Sequence, residues 1–138
     1  FVMYSYPYTS NKTFTKEYFI AKRDSFMKAN IPGAKPNMYM ATDSEFVDVK
    51  NIMVKKNYAM EARGLWEMEH DMMGGPFVSH SSVDTVNNRV IVVEGFVYAP
   101  DTKKRDLMRK MEASLYTLQL PAGPKKVPGM KAASKKTK

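Results

Sequence analysis

Large apolar residues alternate with smaller or polar ones from Phe1 to Tyr8, and the run ends in Pro7-Tyr8-Thr9-Ser10-Asn11, so the pattern predicts a strand followed by a turn. The period then changes. From Phe14 to Asn30, Phe14, Tyr18, Ala21 and Ala29 recur at helical spacing, Phe19 and Phe26 widen the stripe, and Lys16, Arg23 and Asp24 lie away from it. Thr13 is the expected N-cap of this helix, and Pro32-Gly33 ends it. Met38 to Thr42 reads as a short strand. Asp43 to Lys56 carries no clean period, and Glu45 to Val54 reads as a short helix or an irregular crossing.

Tyr58 to His70 is clearer. Tyr58, Met60, Ala62, Gly64, Trp66 and Met68 share one face, opposite Glu61, Arg63, Glu67 and Glu69, as in a long half-buried strand. It opens the stretch Trp66 to Pro100, which reads as three antiparallel strands. Gly74-Gly75-Pro76 is expected to make the first reversal and Asn87-Asn88 the second. The last strand, Arg89 to Tyr98, has Ile91, Val93 and Val97 on one side and Val90, Val92, Phe96 and Tyr98 on the other, so it is expected to be central. After Pro100, Asp101 is the expected N-cap of a final helix whose buried stripe is Leu107, Met108, Met111, Leu115 and Leu118. This order predicts an α+β fold, an antiparallel sheet with two helices packed on one face. Such a two-layer sandwich can be wired like a ferredoxin or like the PsbP and Mog1 proteins.

Composition changes this picture at the C-terminus. The net charge is +8, but six lysines of residues 121–138, with no acid among them, leave only +2 on residues 1–120. The chain therefore reads as one domain over 1–120 and a Lys/Pro/Gly-rich tail over 121–138, too poor in apolar residues to fold alone. With no cysteine, disulfides, thiolate metal sites and cysteine nucleophiles are excluded. The longest β-branched apolar block, Val90 to Val93, is far too short to cross a bilayer. Because the chain begins at Phe1, already inside a strand, it is expected to be a piece of a longer precursor.

Candidate chemistry is sparse. Glu67, Glu69, His70, Asp71 and His80 form the densest polar cluster. A hairpin symmetric about Gly74-Gly75 would set Glu69 across from His80, a pair competent to bind a metal ion. The alternative is a solvated charged face. Glu94 lies within the apolar central strand, where it is either an acid with a raised pKa or one arm of a salt bridge to Arg63 or Arg109. Ser79, Ser81 and Ser82 flank His80, but neighbours along a strand point to opposite faces, which argues against a serine nucleophile and its base. Glu94-Gly-Phe-Val-Tyr98 shares aromatic residues with RNA-binding strands yet has an acid where a basic residue is expected, so no nucleic acid is expected on the body. Gly95 interrupts a β-branched run, which predicts a bulge or a closely packed helix. Met72, Met73 and Phe77 make the first hairpin tip apolar, so they either fold back onto the core or form a partner-binding patch.

Arg63-Gly-Leu-Trp66, Met73-Gly-Gly-Pro-Phe-Val-Ser-His80, Asn88 to Pro100, Lys104-Arg-Asp106 and Glu112 to Thr117 together resemble a domain-of-unknown-function family (DUF4837-like) of Bacteroidetes cell-envelope lipoproteins, in its C-terminal half. The resemblance implies an envelope protein whose lipid anchor and N-terminal half lie outside this chain, and it carries no catalytic residues. The expected function is a non-enzymatic envelope domain that binds or scaffolds another envelope protein, with no cofactor and with membrane attachment only through the missing anchor. The alternatives are a metal-assisted hydrolase using Glu69 and His80, and an RNA-binding sheet with a basic tail.

Overall fold

In the computed structural model, which describes residues 1–121, six strands and two helices follow one another. They are β1 (Val2–Pro7), α1 (Lys16–Asn30), β2 (Met40–Thr42), β3 (Asp48–Val54), β4 (Asn57–Met68), β5 (Gly74–Asp84), β6 (Arg89–Phe96) and α2 (Arg105–Leu115). The strands form a single antiparallel sheet in the order β1-β6-β5-β4, and both β2 and β3 pair along the outer edge of β4. The fold is α+β, as the pattern predicts, and β6 is interior. Among the described residues no helix is long and apolar enough to cross a membrane. From residue 122 onward the Lys-rich tail lies outside the described residues.

The layering differs from the expectation that both helices share one face. Glu94 and Gly95 are neighbours in β6, so they face opposite sides of the sheet. Arg23 of α1 bonds Glu94, whereas a Cβ placed on Gly95 would meet Met111 Sδ of α2 at 2.7 Å. The helices therefore cover opposite faces, and the order of layers is helix, sheet, helix. The larger core lies under α1, where Tyr6, Phe19, Met27, Met60, Trp66, Phe77, Val90 and Val92 are buried together. Each such aliphatic or aromatic side chain contributes roughly 1.5–3 kcal/mol by leaving water.

Local chemistry explains where the elements begin and end. Thr15 is the N-cap of α1, its hydroxyl accepting from the Tyr18 amide at 3.2 Å, while Thr13 sits in a preceding short turn of 3-10 helix. In α1 the buried residues are Phe19, Arg23 and Met27, four apart on one side, so Arg23 belongs to the core stripe rather than to the solvated face. The unreadable segment after Asp43 is a short 3-10 turn and then β3, paired with β4 from Asp48↔Arg63 to Val54↔Asn57. Lys55 and Lys56 close that hairpin with φ of 45° and 70°. Positive φ at both turn positions is the type I′ arrangement, which Asn or Gly usually supplies, and lysines give no sequence signal for it. Helix α2 starts at Arg105 rather than after Asp101, with Lys104 as an N-cap that makes no side-chain bond, and it ends at Leu115.

The first reversal also moves. Residues 69–73 make the turn, with His70 at φ 61°, and Gly74 and Gly75 already lie in β5. Glycine serves there for close approach, because a Cβ on Gly75 would collide with the Val97 carbonyl oxygen. The Val97 amide in turn donates to the Pro76 carbonyl at 3.1 Å.

Of the two sequence explanations for Gly95, the close helix holds. Gly95→Val is expected to destabilise the domain by about 1–3 kcal/mol through overpacking against Met111. Urea unfolding of Gly95→Val alone and together with Met111→Ala checks this. The double variant should recover part of the loss, since the two sites share one contact.

Candidate functional site

Two ionic networks lie inside the domain, one on each face of the sheet. On the α1 face, Glu94 is wholly buried, and an isolated carboxylate could not remain charged there. Arg23, equally buried, answers it: Nε donates to Glu94 Oε1 and Oε2 at 3.0 and 2.9 Å, and Nη2 donates to Oε1 at 2.7 Å. The remaining Nη1 donates to Thr42 Oγ1 at 2.9 Å, while Asp24 receives the Thr42 amide and hydroxyl at 2.9 and 2.5 Å. The Phe77 ring packs 4.3 Å from the guanidinium carbon. Burial pushes the Glu94 carboxyl above its ordinary pKa, and the Arg23 charge and hydrogen bonds offset only part of that rise. The salt-bridge reading of Glu94 holds, but its partner is Arg23, not Arg63 or Arg109.

On the α2 face the β4–β5 register pairs Glu61 with His80, so Glu69 is not across from His80. Glu69 stands beyond the end of β4, at the start of the turn. Glu61 and His80 are both wholly buried, so His80 leaves the polar cluster, whereas Glu67, His70 and Asp71 are exposed and Glu69 is half-buried, as a solvated charged face requires. Glu61 Oε1 accepts from Arg63 Nε at 2.7 Å and pairs with Lys50 Nζ at 3.0 Å, and Oε2 lies 3.0 Å from His80 Nε2. Arg63 reaches on to Glu112 of α2, and Tyr116 sets its ring edge-on to His80 with centroids 4.7 Å apart. Four elements, β3, β4, β5 and α2, meet at this carboxylate.

The electrostatics follow from those contacts. Burial alone would raise the Glu61 pKa, but the hydrogen bonds from Arg63, Lys50 and His80 outweigh it and hold the carboxyl down at about 2. Burial lowers the His80 pKa below its ordinary 6.5, against the pull of Glu61, so the imidazole is neutral at pH 7. Its Nδ1 has no hydrogen-bond partner among the described residues. Among the described residues no three His, Asp or Glu side chains converge as a metal-binding set. Ser79 and Ser81 face α1 while His80 and Ser82 face α2, so His80 and its immediate serine neighbours point apart, as alternation requires.

The expected partner patch divides. Met72 is wholly exposed at the tip of the β4–β5 turn, Met73 is half-buried against the core, and Phe77 is a core residue beneath Arg23. Phe77 is therefore removed from the candidate surface. Leu65, 43% exposed, joins Met72 instead, in a concavity lined also by Asp43, Trp66, Glu67 and Asp71.

Removing one arm of the α1-face pair is expected to be costly. Arg23→Met should destabilise by about 3–5 kcal/mol, because it strands a buried carboxylate, whereas pairing it with Glu94→Leu should recover most of that loss. Chemical denaturation of the single and double variants reads this. On the α2 face, Glu61 has a folded pKa below its unfolded 4.5, so its contribution is complete above 4.5 and is lost as pH falls toward about 2. His80, whose folded pKa also lies below its unfolded value, begins to destabilise as pH falls through 6.5. Both act in the same direction. Thermal midpoints measured from pH 7 to pH 2 should fall steeply for the wild type, and more shallowly below pH 4.5 for Glu61→Gln.

Comparison with known proteins gives one match. The family model described as "Domain of unknown function (DUF4837)" matches residues 1–117. No curated protein and no solved structure matches the chain. With nearly all of the described residues covered, the chain belongs to the DUF4837 family.

Proposed function

We propose that this chain is a non-enzymatic binding domain of a cell-envelope protein, and that it takes its partner on the tip of the β4–β5 hairpin. The observation that carries this reading is the exposed Met72 beside Leu65 on a concave surface rimmed by Asp43, Glu67 and Asp71. A wholly exposed methionine on a built turn costs solvation and gains nothing for the fold, and methionine adapts to varied apolar shapes. The acidic rim fits a partner segment of apolar residues flanked by Lys or Arg. Binding is favoured over catalysis because the groups with shifted pKa values, Glu61, His80 and Glu94, lie beneath the two helices rather than in this concavity. The envelope assignment rests on the lipoprotein-like motifs of the sequence.

Met72→Asp is expected to leave folding stability within about 0.5 kcal/mol of wild type, as an exposed site tolerates charge. Met73→Asp should destabilise the domain, because that side chain packs on the core. A photo-crosslinking amino acid at position 72 of the protein in its native envelope should give a discrete, salt-sensitive adduct, and the same group at the exposed Lys103 should not. Equal crosslinking at both positions, or none at 72, would sink the reading.

A further inference from the structure

The two edges of the sheet are guarded unequally. Along the outer edge of β4 the covering chain is broken into β2 and β3 by a 3-10 turn, and β3 carries Asp48 and Lys50. Interruption and charge are the usual defences of a sheet edge. At the other end β1 is an unbroken six-residue strand whose only pairing among the described residues is with β6. Its sequence, Val2-Met-Tyr-Ser-Tyr-Pro7, has no charged side chain, and Phe1 just before it and Met3 within it are 67% and 66% exposed.

Hydrogen-bond parity shows which groups this edge presents. Tyr8 N–H donates to the Asn88 carbonyl at 2.9 Å, one step beyond the Pro7↔Arg89 pair. Antiparallel ladders alternate, so Tyr4 and Tyr6 bond to β6, and Met3 and Ser5 turn their N–H and C=O groups outward. Pro7 has the same outward parity, which is where a strand tolerates a residue without an N–H.

We infer that β1 is the site of self-association, in which β1 of a second copy adds antiparallel to this edge and joins the two sheets into one. The strand is complementary to itself. With Tyr4 on the two-fold axis, Met3 of each copy lies opposite Ser5 of the other, and each such pair exchanges both of its N–H···O bonds. Phe1 then lies opposite Pro7, where only the bond that Pro7 cannot donate is lost. The absence of side-chain charge matters here, because symmetric pairing would set any charged residue near its own copy. A groove between this edge and α1, lined by Tyr4, Tyr6, Lys22, Ser25, Phe26 and Ala29, leaves room on the α1 face. Ser25 and Ala29 are small, exposed and four apart, which lets the α1 helices of two copies approach over the joined strands.

Sedimentation velocity of the 138-residue chain over a wide concentration range tests this, together with hydrogen exchange. The expected result is a reversible dimer at high concentration, with Met3 and Ser5 amides gaining protection as the dimer forms while the Tyr4 and Tyr6 amides are protected at every concentration. Ser5→Pro removes an outward N–H and leaves the β6 ladder intact, and Met3→Lys adds an edge charge; each should weaken self-association roughly tenfold or more. If Ser5→Pro fails to fold, Met3→Lys gives the answer alone. A wild-type chain that stays monomeric throughout, or a dimer indifferent to both substitutions, overturns the inference.

Discussion

A carboxylate on the central strand is the constraint on which the arrangement depends. Glu94 sits in β6 with no exposed surface, and nothing in the sheet itself can neutralise it. The charge has to come from a helix, and α1 delivers it through Arg23, whose neighbours in the same stripe are Phe19 and Met27. Bidentate geometry fixes both the distance and the rotation of α1 over the sheet. The next residue, Gly95, does the converse on the other face, where the missing side chain lets Met111 of α2 come down onto the strand. One dipeptide thus sets both helices, one by charge and one by absence of bulk. A buried pair of this kind adds little net stability over apolar residues of the same volume, but it penalises any packing in which Arg23 misses Glu94.

How much of this was legible in the sequence depended on what each residue needed from elsewhere in the chain. The periodicities of Tyr58 to Met68 and Arg89 to Phe96 found their strands, and the stripe through Leu107, Met111 and Leu115 found α2, because those patterns are local. By its type Arg23 reads as lying away from the apolar stripe, although it is four positions from both Phe19 and Met27. The signal was its place in that stripe, and its charge argued against using it. The hairpin between β3 and β4 was invisible because its turn is Lys55-Lys56, with the positive φ usually given to Asn or Gly. Gly74-Gly75 misled in the opposite way, offering turn residues that the chain spends on close approach to Val97.

That one misplaced turn moved the expected partner of His80 from Glu61 to Glu69. Glu61 and Glu69 are both odd-numbered residues on one alternating face, so an acid was expected beside His80 under either register. The chemistry of the pair was therefore readable and its location was not. Location decided its meaning, since Glu69 would have stood at the tip in water while Glu61 lies under α2, held by Arg63 and Lys50. Placement of α2 on the second face was the missing fact, and it followed from Gly95, whose reason could be a bulge or a helix until the contact to Met111 was seen.

The two surfaces left over lie in different parts of the sheet. The open edge belongs to β1 and the apolar tip to the β4–β5 hairpin, with β6 and β5 between the edge and β4. Pairing of two β1 strands about a two-fold axis leaves both tips uncovered, at opposite ends of the joined sheet. An assembly of that kind presents Met72 twice on one rigid body. Two weak contacts with a repeated or membrane-attached partner then act as one stronger one, because the second contact forms at the high effective concentration set by the first. The tip alone is a small surface for tight binding, with Met72 and Leu65 as its apolar anchors. Self-association through β1 would raise its avidity without adding a residue to the tip, so the value of the open edge lies in what it does for a site several strands away.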